Sequence, residues 1–586
     1  MKKFYLFLST ILLILVFSCA ISSYTYATSN SIVKIGLYFK TTAQSQVDIS
    51  SNKGVSFFAF DSATNNEFPV YNSNEGEAIT IRKDGFFTNN GLKYTAIGET
   101  ADPVVPTSGP YHIQFGGNYS TYNDALKIVQ DNIKKGIDSY PVYTDSGWNV
   151  WLGFYTSKGS ADSAIADVKT KLGDSTYTVI EKADKRIYGV NSVGEVKFMY
   201  ASDKNLLRGK SLSNEIPNSI NIGNAKFNSF RGQVEFFRKT DSDMTIINVL
   251  SMEEYLYGVV PNEMPALSNP EALKAQAIAA RTYAYKMINK HVAYGFNLCT
   301  TTECHVYKGY ASENLNTNKA VDDTKDMVVT YNGSLAETLY FSSSGGKTES
   351  AVNVWGTDFP YLRSVEDKYE SGKYANYNWS VTYTVAQISE KLKSLGVGTV
   401  TSIEITKCSD AGRPIEIVIK GTLNPKGVVI SRDRCRTFLG LNSQWYTING
   451  SGNTDNTVNS GNSDNSGSST NFYVKNKNIT KQQNQLKIKT ANGETKQLDL
   501  YKKITIIGAN GVKKDITANT TTSTTTNTST TSSQTASSSG YTFVGKGWGH
   551  AVGMSQDGAI GYANAGYTYD QILAHYYTGT KIELIK

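Results

Sequence analysis

The stretch that most limits what this chain can fold into runs from Val249 to Lys290. An apolar, β-prone run, Val249-Leu-Ser-Met-Glu-Glu-Tyr-Leu-Tyr-Gly-Val-Val260, ends in a turn bracketed by Pro261 and Pro265. That turn sets one acid, Glu263, among Val259, Val260 and Met264. Met264 precedes a proline and is biased away from the helical basin, so Glu263 is expected in an irregular turn. A helix follows, with Asn269 as its cap and Pro270 at its first position. Leu273, Ala277, Ala280, Ala284 and Met287 recur at helical spacing on the way to Lys290. They form a small-residue face on which another element can pack closely.

At 586 residues the chain is several domains long. Its 39% apolar content suits a soluble globular class, and its 19% charged content is below average. The net charge of +7 suits loose attraction to an anionic wall polymer or membrane surface. With no basic stripe and no recognition motif, nucleic acid is not an expected partner. The 38 tyrosines could stack on sugar rings, but compositional habit is the favoured reading.

Residues 1–27 read as an export signal: Lys2 and Lys3, the apolar Phe4–Ile21, then Thr25-Tyr-Ala27 as a cleavage site. An uncleaved membrane anchor is the alternative, since the run approaches spanning length. Val16-Phe-Ser-Cys19 matches a lipoprotein box poorly. Either way the remainder is expected outside the cytoplasm, in the cell wall or secreted.

Residues 31–106 alternate short strands, such as Val33–Phe39 and Val55–Phe60, with Asn/Ser/Gly turns. The rhythm changes over 107–183. A strand at Tyr111–Gly117, a helix at Thr121–Ile137, two strands within Tyr140–Tyr155, a helix at Ser160–Leu172 and a strand at Tyr177–Ile180 give the order βαββαβ. That order resembles a sporulation-related repeat (SPOR) module, which implies binding to glycan strands; an α+β insertion without ligand is the alternative. Strands return over 187–250. A Gly/Ser/Asn/Asp linker at Asn449–Thr470 and a Thr/Ser/Asn tract at Thr517–Ser539 flank a small β unit, 472–516, with strands at Gln485–Lys489 and Ile504–Ile507.

Glu-Tyr-Leu-Tyr-Gly-Val-Val-Pro-Asn-Glu-Met-Pro265 followed by Ala272-Leu-Lys-Ala-Gln-Ala-Ile-Ala-Ala-Arg-Thr-Tyr283 closely resembles the stage II sporulation protein D family of lytic transglycosylases and amidase enhancers. The resemblance resumes at Leu339–Glu349, Val354-Trp-Gly356 and Gly545–Ala559. It implies a catalytic domain over 184–448, completed by 541–586 folding back past the 449–540 insertion. The expected fold class is α+β: a β-rich body with a central helix, an inserted βαββαβ module and a small tethered β unit.

The family's catalytic glutamate maps onto Glu263. Hydrolysing a glycosidic bond normally takes two carboxylates. A lytic transglycosylase can use one, which protonates the leaving oxygen and then takes the proton of the C6 hydroxyl of N-acetylmuramic acid, leaving a 1,6-anhydro end. That role needs a pKa raised by apolar surroundings. Read without the resemblance, Glu263 would be a solvated carboxylate near a helix N-terminus. Candidate substrate-binding residues are Arg281, Tyr283, Ser343, Ser344, Gly345, His550 and Gln556. A structural ion pair for Arg281 and a loop-holding role for His550 are the alternatives.

Four cysteines remain after Cys19: Cys299, Cys304, Cys408 and Cys435. Cys299-Thr-Thr-Thr-Glu-Cys-His305 resembles a family segment, often Cys-Asp-Thr-Thr-His-Cys-Gln, where some members bind zinc. The resemblance implies Cys299, Cys304 and His305 as ligands, with His291 another nitrogen and a Cys299–Cys304 disulfide the alternative. Glu303 and His305 depart from the family pattern. No cofactor is needed for the chemistry itself, so zinc would be structural. The expected partners are peptidoglycan glycan strands, preferentially denuded ones, and a wall amidase. Two other readings stand: a hydrolase using Glu349, Glu366 or Asp367 as second acid, and a non-catalytic wall-binding amidase enhancer.

Overall fold

The computed structural model describes residues 31–585 except 90–93, 97–107, 214, 216, 224–227, 240–241, 374–376, 451–471 and 517–539; within 472–516 it describes only short strands. The export segment and both low-complexity tracts therefore lie outside the described residues. Two compact units result, residues 1–449 with 540–586, and residues 450–539.

In the larger unit a seven-stranded sheet carries Ile32–Tyr38 beside Thr245–Ser251, with Ile35 facing Asn248 in antiparallel register. Alternate residues of these strands, among them Val33, Ile35, Ile247 and Val249, enter a shared core. Residues 111–180 form strand Tyr111–Tyr119, helix Tyr122–Lys134, strands Ser139–Thr144 and Gly147–Tyr155, helix Lys158–Leu172 and strand Tyr177–Ile180. Both helices start as their sequences require: the Thr121 side chain accepts from Asp124 N–H, and Ser157 from Ser160 N–H. The βαββαβ module is no bead on a string. Its strand Ser139–Thr144 pairs in parallel with Val196–Ala201 (Val142 opposite Met199), merging the module into a ten-stranded sheet.

The helix Pro270–Lys286 is capped by Asn269, whose side chain accepts from Glu271 N–H. It ends at Lys286, short of the expected Lys290. Two faces are buried rather than one. Ala277, Ala280 and Ala284 pack into the first core, while Ala272, Leu273, Ala275, Ile278 and Ala279 pack into a second core with Val552, Ala559 and Ile572. A helix buried on opposite sides needs small residues all round, and its six alanines are divided between the two cores, so the face at Ala277, Ala280 and Ala284 is only half of the pattern.

A third core lies among strands Val400–Cys408, Pro414–Gly421 and Val428–Ser431 and the strand Tyr541–Lys546, which pairs with Asn378–Tyr383. The chain after residue 540 thus returns to the larger unit. In the smaller unit Gln485–Lys489 pairs with Thr495–Asp499, and Ile504–Ile507 with Lys513–Ile516.

Candidate functional site

Glu263 is presented by two short helices that the sequence reading took for a β-prone run and an irregular turn. The strand stops at Ser251, whose hydroxyl accepts from Glu254 N–H while Glu254 reaches back to Ser251 N–H, and Met252–Tyr257 turns helical. The Ser-Met-Glu-Glu spacing of a capping box was the available signal. After Gly258 comes a one-turn helix, Val260–Glu263, with proline in its first turn. Gly258 is needed there, because a Cβ would lie 2.5 Å from the Tyr307 ring. Met264, before Pro265, is extended (φ −134°, ψ 139°), which ends the helix and leaves Glu263 as its last residue.

Glu263 opens into a cavity of about 300 Å³. One wall is Tyr283 from the central helix with Thr302, Cys304 and His305. The other is Phe341 and Ser342 facing Trp548, His550 and Gln556. Segments more than two hundred residues apart make that second wall: Tyr340–Phe341 pairs in parallel with Met554–Ser555, and Ser343 bridges Trp548. Burial pushes the Glu263 carboxyl above its usual range, opposed by hydrogen bonds from Val306 N–H (3.0 Å to Oε1) and the Gln556 side chain. Among the described residues lining the cavity, Glu263 is the only carboxylate.

Several expected site residues stand elsewhere. Arg281 does not reach the cavity. It is wholly buried, with Nη2 2.6 Å and Nε 2.9 Å from the Glu253 carboxylate, and it also donates to the carbonyls of Val321 and Met327. Ser343, Ser344 and Gly345 are not on the wall, and Ser342 takes their place: Ser343 is buried in its bridge to Trp548 and Ser344 is buried against Glu370. Tyr283, His550 and Gln556 do line the cavity. His550 accepts from Val552 N–H at Nδ1, and burial lowers its pKa to about 4, so it is neutral at pH 7. Trp548 and Ser342 were missed as individual residues, although both lie in stretches singled out from the sequence.

None of the acids proposed for hydrolysis reaches the cavity. Glu349 is buried against Arg413, Asn353 and Ser409. Glu366 is exposed and paired with Lys347 at 3.1 Å. Asp367 is buried and accepts from the Tyr576 hydroxyl at 2.8 Å.

Burial, then the nearby Glu370 carboxylate, raise the pKa of Asp367 to about 7. Glu370 itself accepts from Ser344 N–H and hydroxyl, Gly346 N–H and the Ser555 hydroxyl, tying the Ser342–Gly346 loop to the helix that begins at Gln556. Raised in the folded state, Asp367 keeps its proton where the unfolded chain has released it. Stability should therefore fall as pH rises from about 4 to about 7, by a few kcal/mol. Urea unfolding of Asp367→Asn at pH 5 and pH 8 should show a smaller loss across that interval than the parent chain. Equal losses would remove Asp367 as the source.

The expected metal ligands also need one exchange. His291, Cys299 and Cys304 are buried, with their ligand atoms within 4.8 Å of one another. The two sulfurs are 3.3 Å apart as free thiols, and Cys304 Sγ is 3.4 Å from His291 Nε2. His305 belongs to the cavity instead: its Nδ1 faces the Tyr255 hydroxyl at 3.0 Å. Among the described residues the ligand atoms that gather are those of His291, Cys299 and Cys304, and His305 is not one of them. Two thiols and an imidazole fit the nitrogen and sulfur preference of zinc.

Residues 240–331, which include Glu263, Arg281 and the cysteine pair, match the family model for the stage II sporulation protein. Residues 107–179 match the SPOR domain. The chain is 32% identical over 496 residues to the amidase enhancer of Bacillus subtilis (strain 168), across 82% of this chain and 61% of that protein. It is 33% identical over 221 residues to the stage II sporulation protein D of the same strain, across 35% of this chain and 62% of that protein. The chain thus spans about three fifths of the length of either relative. The residues matched by the stage II sporulation protein model supply Glu263, Tyr283 and the cysteine-bearing wall; Ser342, Trp548, His550 and Gln556 come from beyond them.

Proposed function

We propose that the chain is a lytic transglycosylase of the cell envelope, cutting the bond between N-acetylmuramic acid and N-acetylglucosamine. The observation that carries this reading is the single carboxylate in the cavity, raised in pKa by burial. Protonated Glu263 gives its proton to the glycosidic oxygen as the C1–O bond breaks. The resulting carboxylate, held by Val306 N–H and Gln556, takes the proton of the C6 hydroxyl as O6 bonds to C1. One acid serves both steps and no water enters. Glycan strands are the substrate, and the SPOR domain provides further purchase on them. Among the described residues no helix is long and apolar enough to cross a membrane.

A second reading has its own support: the relative aligned over 496 residues is named an amidase enhancer. In that case the chain binds wall and stimulates an amidase without cutting glycan. Digesting purified glycan strands and analysing the ends separates the readings. A 1,6-anhydro end supports the transglycosylase, a reducing end a hydrolase, and no new glycan end, with faster stem-peptide release from intact wall by an added amidase, the enhancer.

Zinc is proposed at His291, Cys299 and Cys304 as a brace, its bound form tying two thiolates and an imidazole together. The loop it would hold carries Val306, whose N–H contacts Glu263. Freshly purified chain should contain about one equivalent of zinc, and chelation should release two titratable thiols. Absence of metal, with both thiols already free, would end this assignment.

A further inference from the structure

Trp355 closes the short helix Ala351–Val354 with 40% of its surface exposed, a large share for an indole. Its ring centroid lies 5.0 Å from that of His550, which lines the Glu263 cavity. Trp355 therefore extends the aromatic surface one ring beyond His550, outside the residues that line the cavity itself.

A cation stands beside Trp355, against Gly356. The exposed Arg432 has left-handed backbone geometry (φ +62°), which costs a non-glycine residue and persists only when its surroundings impose it. Here Arg432 N–H is bonded to Ile415 O, and Asp433 N–H to Val354 O, which docks the segment against the helix ahead of Trp355. The guanidinium lies across the backbone of Gly356: a Cβ at that position would be 2.4 Å from Nη1. Gly356 itself has left-handed geometry (φ +86°), which favours glycine there, and a side chain at that position would displace the guanidinium. Neighbouring charges are already neutralised, Asp433 by Arg436 at 2.9 Å and Asp358 by Arg363 at 2.6 Å. No ion pair or hydrogen bond engages the Arg432 guanidinium among the described residues.

We infer that Trp355 and Arg432 form an outlying glycan subsite that takes a sugar ring bearing a free carboxylate. The indole offers a flat face to the C–H surface of a pyranose, and the guanidinium offers a fork of donors to a carboxylate. In the proposed substrate the group that fits is the O-lactyl carboxylate of N-acetylmuramic acid. An amidase exposes it by hydrolysing the lactyl amide that joins the stem peptide; on stem-bearing strands it is an amide without charge. Arg432 thus gives the chain a means of distinguishing stripped from stem-bearing glycan. The inference rests on the glycan reading of the preceding section and not on whether the chain cuts the strand.

Binding can be measured in the full chain carrying Glu263→Gln, which leaves the strand intact. The probes are amidase-stripped glycan strands and the same strands with their lactyl carboxylates converted to amides by carbodiimide and ammonia. Adding Arg432→Gln should weaken binding of the carboxylate form about ten-fold and leave the amidated form unchanged. Adding Trp355→Ala should weaken both forms by a similar factor. Both side chains are exposed, and unchanged melting would confirm intact folding. An unaltered preference for the carboxylate form in Arg432→Gln, or undiminished binding of both forms in Trp355→Ala, would overturn the subsite. Because no turnover is involved, failure of the active chain to release anhydro ends would count against the transglycosylase reading alone.

Discussion

Replacing Glu263 with glutamine should lower glycan cleavage by about 10²–10⁴-fold while leaving the fold in place, the range a positioned general acid supplies. Glutamine keeps the shape and an acceptor for Val306 N–H, but has no proton to give and no carboxylate to receive one. No other carboxylate among the described residues lines the cavity to substitute for it. Stability should change little or rise slightly, since the substitution removes an ionisable group whose charged form is disfavoured by burial. Cleavage by the parent chain should also fall as pH rises through the elevated pKa of Glu263, because the acid must begin protonated. Released anhydro ends, quantified for both proteins on the same glycan preparation, provide the check. Turnover by Glu263→Gln at the parental rate would move the chemistry to another residue.

Local features of this site were readable from sequence and long-range ones were not. Asn269 and Pro270 announce the helix start, and Met264 before Pro265 announces a break; both follow from nearest-neighbour geometry. The βαββαβ order was equally local, each element showing its own period. Facing surfaces carry no such signal. The cavity's second wall pairs Tyr340–Phe341 with Met554–Ser555 across the whole insertion, so nothing near Ser342 in sequence says that it, and not Ser343, points inward. The metal ligands illustrate the same limit. Cys299 and Cys304 are close in sequence, but choosing His291 over His305 depends on how the chain after the central helix comes back past residue 297, where Asn297 N–H bonds to Lys34 O. Trp355 and Arg432 likewise meet only because segments 77 residues apart in the chain are docked through Asp433 and Val354.

Arg281 shows how burial decides between two roles that sequence leaves level. As a glycan ligand it would be exposed in the cavity, and its loss would weaken substrate binding at unchanged stability. In the structure its guanidinium is fully buried, forked onto Glu253 and bonded to the carbonyls of Val321 and Met327. Removing one partner of such a pair strands the other charge, at a cost of about 3–5 kcal/mol. Arg281→Leu should therefore lower the unfolding free energy by about that amount. Arg281→Lys should fall between, because an ammonium cannot fork onto both carboxylate oxygens while reaching two carbonyls. Pairing Arg281→Leu with Glu253→Leu should recover part of the loss, since neither charge is then left alone. The deficit should also reach the site. Glu253 lies on the short helix that leads through Gly258 to Glu263, so freeing it loosens the element that aims the acid. Chemical denaturation of the three variants, followed by cleavage assays at temperatures where each remains folded, is the measurement. Parental stability with impaired glycan binding in Arg281→Leu would return Arg281 to the substrate and refute the buried pair as its purpose.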